Sequence, residues 1–247
     1  MKNIFYILII LFLLISKSYA GSGDATEYKI TIKKVELCAS GSAVSECINP
    51  ITIFSGNSGP VDIANTAAGQ QAAALGNAGA AVVGTTYTVV QTTMDREITV
   101  SGYYATGNDS CSTIASNGSD ADKNGKGDHA TGGTPDTPVA GVYYAGEADN
   151  SDLDAGDAWN GIDANGDVNT TDDKNDGDFE DFQWRNALES PVTITLGRLP
   201  TIKIAFGTGN TIGFAGNIAT AAHCTNDANA TTGIYVMNPD VSISIIN

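Results

Sequence analysis

Basic residues are scarce: 12 Lys and Arg stand against 28 Asp and Glu, a formal charge of −16. Nucleic acid and acidic membranes are held through Lys and Arg, so both are poor partners for this chain. Histidine is scarcer still, with His129 and His223 alone. Only His129 falls in the acid-rich part of the chain, beside the one thiol Cys111, too few soft ligands for zinc or copper. Long apolar runs are missing except one, Ile4 to Ile15, whose twelve residues fall short of the about 20 that cross a bilayer. Lys2 precedes that run and Ser18-Tyr19-Ala20 follows it, the layout of a secretory signal peptide over residues 1–20. No cysteine follows the cut, which disfavours a lipid anchor, and no second apolar run offers a membrane span. The expected mature chain is therefore 21–247, with a charge of −18, extracellular or at the cell surface, the periplasm being the other compartment open to it.

What is present is strand signal. Tyr28, Ile30 and Ile32 alternate with polar residues, and after Lys33-Lys34 the apolar phase flips to Val35 and Leu37, which predicts a bulge there. Further strands are expected over 51–54, 85–93, 97–104, 139–144, 192–196, 201–206, 234–237 and 241–246, spaced by Gly, Pro and Asn turns. The fold class that follows is all-β: one antiparallel β-sandwich domain over 21–247. It carries two long acidic loop insertions, 106–138 and 147–181, and one short helix over the Ala- and Gln-rich Ala67–Leu75. GYYA at Gly102–Ala105 and VYYA at Val142–Ala145 look alike and are expected to pair as one hairpin, the first insertion at its tip.

The four cysteines of the mature chain, Cys38, Cys47, Cys111 and Cys224, are an even number in an exported protein, so disulfides are expected, with free buried thiols the alternative. Three pairings exist. Cys38 and Cys47 flank a Gly/Ser/Ala turn between two strand-like runs, which favours Cys38–Cys47 and, by elimination, Cys111–Cys224.

The acids are concentrated. Between Asn108 and Asp181 lie 18 of the 28, against Lys123, Lys126 and Lys174, a net −15 in 74 residues that repels itself unless cations sit in it. Inside this stretch, Asp120, Asp122, Asn124 and Asp128 stand at positions 1, 3, 5 and 9 of a D-x-[DN]-x-[DN]-G pattern, with Gly125 at 6 and Lys126 at 7. Alternate oxygens converging on an ion, a glycine for the sharp turn and a backbone carbonyl from position 7 are what calcium requires. The pattern resembles an EF-hand loop but has Thr131 at position 12 in place of Glu and no helix signals beside it. A second segment, Asp163 to Asp172, resembles the calcium loop of dockerin modules, shortened by two residues. That resemblance implies Asp163, Asn165, Asp167 and Asp172 as side-chain ligands. Calcium is thus the expected cofactor, the alternative being a solvated acidic loop.

The order EYKITIKKVELC, GPVDIA and GTTYTVVQTTM in the first part of the chain resembles an uncharacterised group of bacterial secreted domains taken to be transthyretin-like sandwiches. The likeness covers about 70 residues and implies a surface-associated binding or structural domain. Thr220–Cys224 reads TAAHC, as around the catalytic histidine of trypsin-like proteases, and Gly56–Pro60 is a near miss to their GDSGGP. The order is wrong for that family, since Ser58 precedes His223 by 165 residues, and no IVGG-like start follows the signal. His129 is expected to be exposed and without a catalytic role.

The function expected is a secreted calcium-binding structural or adhesive protein, without catalysis, whose partners are calcium and surface glycans or further copies of itself. The alternative is a carbohydrate- or ligand-binding module using loop aromatics, Trp159 foremost, since exposed rings stack on sugars. A secreted hydrolase is third.

Overall fold

The computed structural model describes residues 21–65, 78–107, 109–115, 127–132, 137–144, 159–163, 179–196, 201–215, 224, 233–237 and 239–246. The expected signal segment 1–20, the expected helix over Ala67–Leu75 and His223 lie outside them. Fifteen strands are present among the described residues, all paired antiparallel, and the fold is all-β and sandwich-like as the alternation implies. In chain order they are β1 Gly21–Gly23, β2 Ala25–Ala39, β3 Ile51–Ser55, β4 Pro60–Asp62 and β5 Thr86–Asp95. There follow β6 Glu97–Thr106, β7 Asp109–Thr113, β8 Gly127–Thr131, β9 Gly141–Tyr144 and β10 Trp159–Asp163. Last come β11 Phe179–Thr193, β12 Thr201–Gly207, β13 Ile212–Ala215, β14 Gly233–Val236 and β15 Asp240–Ile246.

The spine is β2, 15 residues long. Along one side it pairs first with β4 and then with β3; along the other, with β6 and then β5. All three lines of chain break at the same level. On β2 the β5 register jumps from Ile32↔Met94 to Lys34↔Thr93, leaving Lys33 as the extra residue. Opposite it, Gly56–Gly59 crosses from β3 to β4, with Gly59 at φ 66, a conformation that favours glycine. On the third line Arg96 separates β5 from β6. One inserted residue flips the parity of everything after it, so Tyr28, Ile30 and Ile32 before the bulge and Val35 and Leu37 after it all reach the core.

The ten-stranded sheet runs β10-β11-β5-β2-β6-β7-β8, with β3 and β4 on β2 and β9 on β6. A three-stranded sheet β1-β13-β14 and a ribbon β12-β15 complete the described fold. In the ribbon Ile202, Ile204 and Phe206 stand opposite Ile245, Ile243 and Val241, and Phe206 packs against the core. The core includes Tyr28, Leu37, Tyr87, Ile98, Tyr143 and Phe214, all but sealed from solvent. Tyr28 donates its hydroxyl proton to the Met237 carbonyl at 3.1 Å, tying the chain after β14 to the spine.

Both disulfides are those expected. Cys38–Cys47 closes the β2–β3 connection with Cα atoms 5.2 Å apart, and Cys111–Cys224 spans 113 residues with Cα atoms 5.7 Å apart. They are bonds of an oxidising, extracellular-type environment. Among the described residues no helix is long and apolar enough to cross a membrane.

Three expectations are corrected. The strands that carry GYYA and VYYA, β6 and β9, pair antiparallel as expected, but the two YY segments are out of register: Val142–Tyr144 lie against Thr99–Glu97, while Tyr103–Thr106 pair with Ser112–Asp109. The cause is a hairpin of the first insertion's own, β6 to β7, with Gly107 after β6 at φ 44, which takes that stretch of β6. The insertions 106–138 and 147–181 are thus not simply loops, for β7 and β8 fall in the first, β10 and the start of β11 in the second. The strand expected over 192–196 is the tail of the much longer β11, reached across a register shift between Ala187 and Val192.

Candidate functional site

Both Asp/Asn/Gly motifs fall between paired strands, and the two hairpins are the two ends of the ten-stranded sheet. At one end β7 and β8 close with Thr113↔Gly127 in register, and the residues between them carry Asp120, Asp122, Asn124 and Lys126, which lie outside the described residues. Asp128 is described: it stands on β8 opposite Ser112, exposed, one residue beyond the closing pair. Gly127 is glycine for packing reasons, since a Cβ there would overlap Ile234, the Ser112 carbonyl and the Cys111 sulfur. At the other end Asp163 is the last residue of β10, opposite Phe179 across a bulge, and Asn165, Asp167 and Asp172 fall in the undescribed connection to β11. Among the described residues no three His, Cys, Asp or Glu side chains converge to hold an ion.

β7 is packed on both faces. Ser110, Cys111, Ser112 and Thr113 are all sealed from solvent, so this strand of small residues is buried along both faces and shows no alternation. His129 on β8 sits opposite Cys111, and its Nε2 lies 3.0 Å from Asp109 Oδ1. It is 13% exposed, so the expectation of an exposed histidine is corrected: the cross-strand carboxylate and the packed hairpin enclose it.

The sheet centre handles charge differently. On the face of β3, β2, β5 and β11 opposite Val35 and Leu37, Thr52, Glu36, Gln91 and Arg185 stand in one cross-strand row, the last three buried. Gln91 donates Nε2–H to Glu36 Oε2 at 2.8 Å and accepts from Arg185 Nε at 2.8 Å, so its amide relays one charge to the other. Arg185 also donates to the Val44 carbonyl at 3.1 Å and Gln183 Oε1 at 3.2 Å, while Lys34 pairs with Glu36 at 2.6 Å. Burial pulls the Arg185 pKa down from the ordinary arginine value. Two rows away Asp95 and Asp181 face each other directly, an unfavourable like-charge pair. The bulged Lys33 resolves it, its amine bonded to Asp181 and 3.5 Å from Asp95 Oδ2. Burial works against that ammonium, but the two carboxylates outweigh it and hold its pKa above the ordinary lysine value.

Of the protease-like motifs, Ser58 and Cys224 are among the described residues. Ser58 Oγ accepts the Ile32 N–H at 2.9 Å and donates to the Gly59 carbonyl at 2.6 Å, pinning the crossing opposite the bulge. Cys224 is buried in its disulfide to Cys111. Of the aromatics, Tyr143 points into the core, Tyr104 stacks on Phe214 with centroids 5.6 Å apart, and Tyr103 is 41% exposed. Burial raises the pKa of both Tyr28 and Tyr143 well above the usual phenol range. Trp159 stands opposite Trp184 on the outermost strand of its end of the sheet. No protein-family model, curated protein or solved structure matches the chain.

Proposed function

We propose that this is a secreted, calcium-stabilised structural or adhesive protein of the extracellular or cell-surface space, without catalytic activity. The observation that carries the reading is the placement of both Asp/Asn/Gly motifs on hairpin connections at opposite ends of one sheet. An ion bound in such a connection replaces carboxylate repulsion with attraction and fixes the turn between two strands already in register. The expected ligands are Asp120, Asp122, Asn124, the Lys126 carbonyl and Asp128 in one, Asp163, Asn165, Asp167 and Asp172 in the other. The non-catalytic half of the reading is supported by the use of Ser58 Oγ for backbone bonds on both sides.

Calorimetry and limited proteolysis of the chain from Gly21, with calcium or chelator, test it. Calcium binding the folded form is expected to raise the melting point, by the equivalent of about 2.7 kcal/mol at a hundredfold excess over Kd. It should also suppress cuts between Asn108 and Asp181. Asp120→Ala with Asp122→Ala should remove part of the shift. Identical melting points and cuts in both conditions would refute the calcium reading. A glycan-binding reading draws on Trp159 at the sheet's outermost strand and on exposed Tyr103; loss of binding to immobilised polysaccharide on Trp159→Ala would favour it.

A further inference from the structure

The first strand begins at Gly21, directly after the Ser18-Tyr19-Ala20 site, and is only three residues long. It pairs with β13 through Gly21↔Phe214, Ser22↔Gly213 and Gly23↔Ile212, covering the edge of β13 that β14 leaves open. The slot it fills is selective. A Cβ at Gly23 would overlap the Tyr103 carbonyl, which requires glycine there, and one at Gly21 would press on the Tyr104 ring, which its stacking on Phe214 holds in place. Position 22 is free to vary in size by comparison: Ser22 Oγ reaches outward to Asn210 Oδ1 at 3.2 Å. At the strand's end Asp24 Oδ1 accepts the Asn210 N–H at 3.0 Å, and Ala25 N–H bonds the Thr208 carbonyl at 3.2 Å. The slot therefore reads Gly-X-Gly in an extended conformation, and the walls behind it, Ile212 and Phe214, are fully buried.

We propose that this slot is a docking site for the Gly21–Gly23 strand of a second copy of this chain, so that copies are linked by exchange of their N-terminal strands. Three features select that occupant. An identical copy carries the Gly-Ser-Gly sequence that the slot's shape demands, which strand segments rich in branched residues do not. The segment sits at the N-terminal end left by the expected cut, so it leaves and re-enters without threading through the fold. The β13 edge it vacates carries unpaired backbone donors and acceptors beside buried apolar side chains, and an equivalent strand restores every bond. Exchange of an identical element needs no new contact chemistry, only a concentration of copies that competes with the tethered strand. A one-way donation leaves each copy with a strand to give and a slot to fill, which joins copies in a chain. This names the partner for the structural role proposed above and rests on that reading, but it requires no calcium.

The experiment uses the chain from Gly21 in chelator. Ser22→Cys and Asn210→Cys are prepared separately, mixed at high concentration, warmed below the melting point and mildly oxidised. The expected result is a covalent heterodimer absent from either variant alone and reduced at least tenfold when the Ser22→Cys donor also carries Gly23→Val. The double variant Ser22→Cys/Asn210→Cys calibrates the geometry by bridging within one chain. Internal bridging in that variant with no heterodimer in the mixture overturns the proposal. Should the double variant fail to bridge, native mass spectrometry of ordinary and isotope-labelled chains mixed under the same conditions decides: mixed oligomers lost on Gly23→Val support exchange, and monomers alone overturn it. Mixed oligomers that survive Gly23→Val overturn the strand slot while leaving the structural reading standing.

Discussion

The centre and the ends of the ten-stranded sheet treat charge in opposite ways. On β2 the charges come with counter-charges: Lys34 with Glu36, and Lys33 between Asp95 and Asp181, while Gln91 links Glu36 to Arg185. Towards the ends, 18 acids between Asn108 and Asp181 meet three lysines, and among the described residues Lys33 on the spine answers Asp181. A region that carries its own counter-ions is indifferent to what the solvent supplies. One that lacks them depends on it, so an added cation has more to gain in the hairpin connections than at the buried, already paired Glu36.

The comparison breaks most visibly at the disulfides. Cys111→Ser with Cys224→Ser releases a 113-residue crosslink and is expected to cost about 4.8 kcal/mol, against about 2.6 kcal/mol for the 9-residue closure at Cys38–Cys47. Urea unfolding of the two double variants measures both, and a larger loss at the spine would mean that the β7–β8 end is held by packing and not by its crosslink. Next in size is Arg185→Met, which leaves the buried Gln91 Oε1 without this donor and frees the carbonyl of the exposed Val44. About 2–3 kcal/mol is expected, with equal size in calcium and in chelator. Dependence on calcium would show that centre and ends are coupled.

Smaller effects sharpen the contrast. Lys33→Met leaves Asp95 and Asp181 opposed and is expected to cost about 1 kcal/mol, since all three groups are partly exposed. Because the folded pKa of Lys33 is raised, its stabilisation is fully present below the unfolded lysine value of 10.5 and is lost as pH rises through the folded one. Alkaline unfolding of wild type and variant should therefore converge. Smallest is Asp62→Asn, about 0.5–1 kcal/mol at neutral pH. Burial pushes the Asp62 pKa up, but the Asn65 amide and the backbone N–H groups of Tyr28, Asn65 and Ala64 bind the carboxylate and bring it below its ordinary 3.8. Its stabilisation is present above that value and lost as pH falls through the lower folded pKa, so acid titration of stability should show wild type and variant merging there.

The phase flip at Lys33-Lys34 was readable from sequence alone, because a strand with one buried face writes its burial into a period of two and an inserted residue shifts that period. The hairpin disulfide was readable too, from two cysteines flanking a turn, and Gly107-Asn108 carried a hairpin signal that the likeness of GYYA to VYYA obscured. Strand β7 was not readable: buried on both faces, Asp109–Thr113 has no alternation, and its small polar residues resemble a loop. The acid motifs at 120–128 and 163–172 were found by spacing, but that they fall at the two ends of one sheet was decided by pairings between distant residues, such as Asp181 with Asp95. Ser58 shows the same division. Its neighbours spell half of a protease motif, and only the crossing opposite the β2 bulge turns its hydroxyl to the backbone. Period, turn chemistry and ligand spacing are local, so the chain states them. Which edges meet is set by burial and register across the whole sheet, and that only the folded structure states.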